Sequence, residues 1–83
     1  MFQNYPNPFN PTTKIYFTLP SNEQVTIDVY NSIGQKVRTI KNEIMQKGIH
    51  SVEFNGVGLA SGIYFYTIKT NNFFAAKKMV LIK

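Results

Sequence analysis

Lys14-Ile15-Tyr16-Phe17-Thr18-Leu19 and, a few residues on, Val25-Thr26-Ile27-Asp28-Val29-Tyr30 decide the fold. In both runs an apolar side chain returns at every second position. Successive side chains of a β-strand point to opposite faces, so this period of two is the mark of a strand with one face buried. Ile15, Phe17 and Leu19 share one face, against Lys14, Tyr16 and Thr18 on the other. Val25, Ile27 and Val29 form a second inward set. Pro20-Ser21-Asn22-Glu23-Gln24, between the two runs, reads as a turn.

The same reading extends outward from this pair. Asn31-Ser32-Ile33-Gly34-Gln35 has the length of a hairpin connection, and Gly34 can supply the positive φ such turns need. Residues 36–40 read as a third strand. Residues 41–47 have no clear period; Asn42-Glu43-Ile44-Met45-Gln46-Lys47 is expected as one helical turn at most, ended by Gly48. Ile49-His50-Ser51-Val52-Glu53-Phe54 is a fourth strand, with Val52 and Phe54 inward. Asn55-Gly56 is a strong turn signal. The loop Val57-Gly58-Leu59-Ala60-Ser61-Gly62 carries apolar residues, so part of it is expected to pack down. Residues 63–70 form the longest strand, with Tyr64, Tyr66 and Ile68 inward. Asn71-Asn72 turns the chain into a last strand over residues 74–82.

Upstream of Lys14 lie three of the four prolines, in Asn4-Tyr5-Pro6-Asn7-Pro8-Phe9-Asn10-Pro11-Thr12-Thr13. Each fixes its own φ, removes a donor and pushes the preceding residue toward extended geometry. Residues 1–13 therefore read as a stiff lead-in with Asx-type turns, and residues 14–83 as one domain. Six to seven strands with turns every eight to twelve residues describe an all-β, Ig-like antiparallel β-sandwich.

Composition bounds what such a domain can do. The chain has 83 residues, 43% of them hydrophobic and 14% aromatic, which is globular and leaves room for one core. Cysteine is absent, so disulfides, a thiolate nucleophile and Cys-based zinc sites are excluded. The single histidine is His50, and the carboxylates are Glu23, Asp28, Glu43 and Glu53 alone. Catalytic and metal sites need convergent groups, and no spacing here supplies them. His50 reads as a strand-end residue, and Asp28 as a charge that breaks up an apolar strand face. No catalytic, metal or cofactor residue is expected.

The net charge is +5. Lys77, Lys78 and Lys83 gather near the end with Phe73 and Phe74 close by, a combination that can bind single-stranded nucleic acid. Arg38 is the only arginine, however, and no RNP-like run is present. Lysine beside a sticky strand is ordinary edge protection, so no nucleic-acid partner is expected. The apolar runs Ile63-Tyr64-Phe65-Tyr66 and Met79-Val80-Leu81-Ile82 fall far short of the ~20 residues that span a bilayer, so the chain is not expected to be membrane-spanning. The first residues lack a basic start and an apolar stretch of signal-peptide length. They read as the start of a piece of something larger. Met79-Val80-Leu81-Ile82 is also apolar on both faces. Two readings are open: a central strand whose outer face is covered by the loop near Leu59, or a surface bound by another protein through edge pairing or a hydrophobic groove.

Four blocks in order carry a resemblance. They are Asn4 to Thr13 as quoted above; Val29-Tyr30-Asn31 with Gly34-Gln35-Lys36-Val37; Leu59-Ala60-Ser61-Gly62-Ile63-Tyr64-Phe65-Tyr66; and Lys77-Lys78-Met79-Val80-Leu81-Ile82-Lys83. Together they resemble the type A C-terminal sorting domain of the type IX (Por) secretion system, over nearly the whole chain. The resemblance implies a detachable address on a larger, N-terminal passenger protein, not an enzyme. An outer-membrane translocon reads the folded domain. A sortase removes it, cutting upstream of the proline block, and the passenger is released or anchored at the surface. The implied location is the periplasm in transit, then the cell surface or the extracellular medium. The residues implied in recognition are Pro6, Asn7 and Pro8 in the proline motif, Gly34 and Val37 in the hairpin motif, Gly62 and Tyr64 in the Gly-x-Tyr motif, and Lys78, Met79, Val80, Leu81, Ile82 and Lys83 in the terminal motif.

Two other readings share features with this one. Ig-like scaffold domains of the flagellar hook-capping type also carry an Asn-Pro-Phe-Asn-Pro start and a Ser-Gly-x-Tyr strand. A carbohydrate-binding module would need an aromatic platform, to which Tyr16 and Tyr30 could contribute.

Overall fold

Alternating side chains of this kind can be buried only if two sheets face each other. The computed structural model, which describes residues 2–5, 8 and 11–82 and the side chains of residues 8 and 11–82, shows this arrangement. Among the described residues seven strands run in chain order: β1 (Phe2–Tyr5), β2 (Thr12–Leu19), β3 (Glu23–Asn31), β4 (Lys36–Met45), β5 (Gly48–Asn55), β6 (Gly62–Lys69) and β7 (Phe74–Leu81). One sheet has the order β1-β2-β5 and the other β4-β3-β6-β7, all neighbours antiparallel. Among the described residues there is no helix.

The core is the sum of the inward faces. Ile15, Phe17 and Leu19 of β2 join Val52 and Phe54 of β5 from one sheet. Val25, Ile27 and Val29 of β3, Tyr64, Tyr66 and Ile68 of β6, and Met79 and Leu81 of β7 come from the other. Every side chain expected inward is buried. Each contributes ~1.5–3 kcal/mol on burial.

The structure departs from the sequence reading in several places. Residues 41–47 make no helical turn: β4 runs straight through to Met45, which pairs with Glu23. A single helical turn forms few bonds for the order it demands. The β3 edge beside it offers a full ladder, and Met45 packs against the core. Asn55-Gly56 is not a hairpin turn. β5 continues through Asn55, and β6 belongs to the other sheet, so the connection must cross the sandwich. The positive φ falls at Gly58, at 90°, not at Gly56. Among the described strands β7 is the outermost of its sheet, beyond β6. Leu59 does pack against the core, as expected of that loop. Finally, residues 2–5 of the lead-in are strand β1, with Phe2 opposite Phe17 and Tyr5 opposite Lys14, and Thr12 and Thr13 already belong to β2. Short polar runs beside prolines carry no period, so only a neighbouring strand makes such a strand visible.

Candidate recognition surface

The end of the sandwich where β3 finishes is assembled from three devices. The first is the β3–β4 hairpin. Asn31 Oδ1 accepts from the backbone N–H of Ile33 at 3.2 Å and of Gln35 at 2.9 Å. Its Nδ2 donates to Gln35 Oε1 at 2.9 Å. The Asn31 N–H donates to the Gln35 carbonyl, and the Gly34 N–H to the Asn31 carbonyl. Asn suits this place because its short side chain can satisfy turn amides two and more residues on. Gly34 lies at φ 88°, where a Cβ is strained. Val37, two residues beyond the turn, packs half-buried against the core.

The second device is a pair of clamps on the β5–β6 crossing. From β4, Arg38 donates through Nη1 to the Asn55 carbonyl and through Nη2 to the Val57 carbonyl, both at 3.2 Å. From β6, the Tyr64 hydroxyl donates to the Ala60 carbonyl at 2.6 Å. Between these two anchors, Leu59 N–H closes a turn onto the Gly56 carbonyl at 3.0 Å. Gly56 N–H reaches the Pro11 carbonyl at 2.8 Å, tying the crossing to the residue before β2. Gly62 has φ 151°, a backbone state that L side chains rarely adopt. That is the physical content of Gly62-Ile63-Tyr64. The glycine turns the chain into β6, and the tyrosine two residues later reaches back to hold what precedes the turn.

The third is the end of β7. Met79 and Leu81 are fully buried, opposite Tyr64 and Gly62. Val80, half-buried, pairs with Ile63 on the outer face, and Lys78 pairs with Phe65. Ile82 stays 48% exposed.

These devices meet. Asn31 is opposite Tyr64, and Tyr64 opposite Met79. Thr12 is opposite Asn55, whose carbonyl Arg38 binds. The hairpin turn, the crossing, the start of β2 and the end of β7 therefore share one end of the molecule. Tyr5 and Thr12, the strand residues that flank the proline block, are there too. Pro8 is exposed; Pro6, Asn7 and Lys83 lie outside the described residues. A hollow of about 290 Å³ opens between hairpin and crossing, lined by Asn31, Ser32, Ile33 and residues 60–64. Two of its lining side chains are apolar and exposed, Ile33 at 77% and Ile63 at 45%.

A family model of the secretion system C-terminal sorting domain matches residues 3–83. The chain belongs to this family. The match covers all four sequence blocks in order and the whole sandwich apart from Phe2. The domain is thus a C-terminal sorting signal of the type IX secretion system, directing export toward the cell surface or the extracellular space. No curated protein and no solved structure matches the chain.

Two further polar side chains are tied into the sandwich. His50 Nε2 donates to the Gln46 carbonyl at 2.6 Å, and its ring stacks on Phe17 at 5.6 Å between centroids. Asp28 accepts from the Thr39 hydroxyl at 2.7 Å, beside a register shift in the β3–β4 ladder. No group of three His, Cys, Asp or Glu among the described residues could hold a metal ion. No helix there is long and apolar enough to cross a membrane. Tyr16 and Tyr30 stand on strands of different sheets and share no platform.

Sequence reasoning passed over two residues. Arg38 counted only as the lone arginine, although its planar fork suits the paired carbonyls of a crossing loop. Glu23, assigned to a turn, is the first residue of β3 and is 2% exposed. Its carboxylate accepts from the Ser21 hydroxyl at 3.3 Å and from Asn72 Nδ2 at 3.1 Å, joining two turns at the opposite end of the sandwich. A buried carboxylate needs such donors. The nearby Ser21 was legible in sequence; Asn72, far along the chain, was not.

Proposed function

We propose that the end of the sandwich formed by the hairpin, the crossing and the terminal strand is what the type IX translocon reads. The supporting observation is the convergence of Gly34, Val37, Gly62, Tyr64 and the residues Lys78, Met79, Val80, Leu81 and Ile82 from distant parts of the chain. In this reading Pro6, Asn7, Pro8 and Lys83 also belong to what the translocon reads, and the sorting domain follows an N-terminal passenger. The domain is an address and a substrate, and catalyses nothing. A sortase separates it from the passenger upstream of the proline block, after transit through the periplasm. Recognition of a folded surface suits a small β-sandwich, because turns held by side-chain hydrogen bonds present their atoms at little entropic cost.

The test is a fusion of residues 4–83 to a periplasmic reporter in a host that carries the translocon. The intact fusion reaches the cell surface or medium. The fusion lacking residues 79–83 stays in the periplasm. Normal export of a truncated fusion that is still folded overturns the reading.

A further inference from the structure

We infer that Asn55-Gly56 is a self-modification site: Asn55 converts to aspartate and isoaspartate while the chain is unfolded, and the folded sandwich closes the reaction.

Asn55 is the only asparagine in the chain that is followed by glycine. The backbone nitrogen of the next residue can attack an asparagine side-chain amide. Glycine there has no Cβ to obstruct the approach and leaves the backbone free to reach the ring geometry. The Gly56 amide gives up its proton, and its nitrogen bonds to Asn55 Cγ. The Cγ–Nδ2 bond breaks, Nδ2 takes up a proton and ammonia leaves, closing a cyclic succinimide. Water then opens the ring at one carbonyl or the other. One opening gives aspartate at position 55. The other gives isoaspartate, whose main chain runs through the former side chain and is longer by one methylene.

The fold opposes the first step at each of its reacting groups. The Gly56 N–H donates to the Pro11 carbonyl at 2.8 Å, and Gly56 is buried. An amide proton held in this way is withheld from base until the structure opens. Asn55 Oδ1 accepts from the Val57 N–H at 2.8 Å, which fixes the side-chain amide in an Asx turn. The main chain of Asn55 lies opposite Thr12 in the β2–β5 ladder, and its carbonyl accepts from Arg38 Nη1 at 3.2 Å. Closing the ring must turn this peptide out of all these bonds. Asn55 itself is exposed, so access of water is not what the fold withholds. Pro11, Thr12 and Arg38 lie far from Asn55 in sequence, so the lock exists only once β2, β4 and β5 have met.

The two products differ once refolded. Aspartate keeps the length of the main chain, and its carboxylate still accepts from the Val57 N–H. The added methylene of isoaspartate puts Gly56 and Val57 out of step with Pro11 and Arg38. The crossing then loses its ties to β2 and β4.

The test ages the 83-residue chain in mildly alkaline buffer, folded in one sample and held unfolded by guanidinium chloride in the other. Peptide mapping by mass spectrometry, with aspartate separated from isoaspartate, follows each asparagine. Unfolded chains are expected to react at Asn55 ahead of every other asparagine. Folded chains should react there about thirtyfold more slowly, the factor that two hydrogen bonds confer. Gly56→Ala, assayed in denaturant where folding plays no part, should lose most of the conversion. Arg38→Met, first shown to be folded by its amide spectrum, should convert about fivefold faster than the folded parent. After refolding, the aspartate product should recover slow amide exchange at Gly56, Val57 and Leu59, with N55D as its reference, and the isoaspartate product should not. Equal rates in the folded and unfolded parent, another asparagine reacting first in denaturant, or full protection in the isoaspartate product would each overturn the inference. Unchanged rates in G56A or in R38M would do so as well. None of these readouts involves export, so the sorting reading stands or falls separately.

Discussion

The Tyr64 hydroxyl binds the carbonyl of Ala60 four residues upstream, across Gly62 at positive φ. Arg38 holds the same crossing from β4 through the carbonyls of Asn55 and Val57. A connection between the two sheets is thereby fixed at both its ends by side chains from the sheet it enters. The Tyr64 ring is buried in the core, so the loop's position is coupled to core packing.

Tyr64→Phe should keep the ring and lose only this bond. The expected cost is about 1 kcal/mol of unfolding free energy, measured by denaturant titration. Amide exchange should rise selectively over residues 56–61. A loss spread evenly over the domain would show that the hydroxyl does not hold the crossing.

Arg38→Met keeps the aliphatic stem and removes two donors. Because Arg38 is exposed, the stability cost should stay near about 1 kcal/mol, below that of a buried charged pair. The export defect in the reporter fusion should exceed what that small loss explains. Export equal to the parent with a freed loop would separate loop order from recognition.

Gly62 and Gly34 test backbone against space. An added Cβ at either meets nothing within 4 Å, so any cost comes from φ alone. Gly34→Asn should be mild, because asparagine tolerates the left-handed region at φ 88°. Gly62→Ala should cost roughly 1–3 kcal/mol, since φ 151° belongs to a region nearly confined to glycine. Thermal unfolding of the two variants checks the order.

Tyr66 gives a pH dependence. Burial pushes its phenol from 10.0 up to about 12, because the phenolate is disfavoured in the core. Unfolded chains lose this proton first, so the folded state binds more protons above about pH 10 and stability falls as pH rises toward about 12. Below pH 10 the contribution is complete. Tyr66→Phe should flatten that alkaline decline in chemical-denaturation curves taken across the window, leaving the acid side unchanged.

The all-β architecture, the two-faced strands and the inward residues followed from the sequence alone, because a period of two is set by local backbone geometry. Ile15, Val25 and Tyr66 needed no partner to be placed. The turn at Asn31 to Gln35 was equally local. What failed were the segments whose state depends on a neighbour. Residues 41–45 became strand because β3 offered a ladder. Residues 2–5 became strand because β2 did. Asn55-Gly56 has the dipeptide of a hairpin but leads into the other sheet. The family blocks were visible as motifs, yet nothing in their spacing placed them together. That was decided by which strand pairs with which: Asn31 with Tyr64, Tyr64 with Met79, Thr12 with Asn55. Pairing between residues far apart in sequence is a global compromise of burial and hydrogen bonding, and only the folded chain records it. The same holds for β7. Its apolar, basic composition was plain in sequence, but that it is the outermost described strand of its sheet is a property of the tertiary structure.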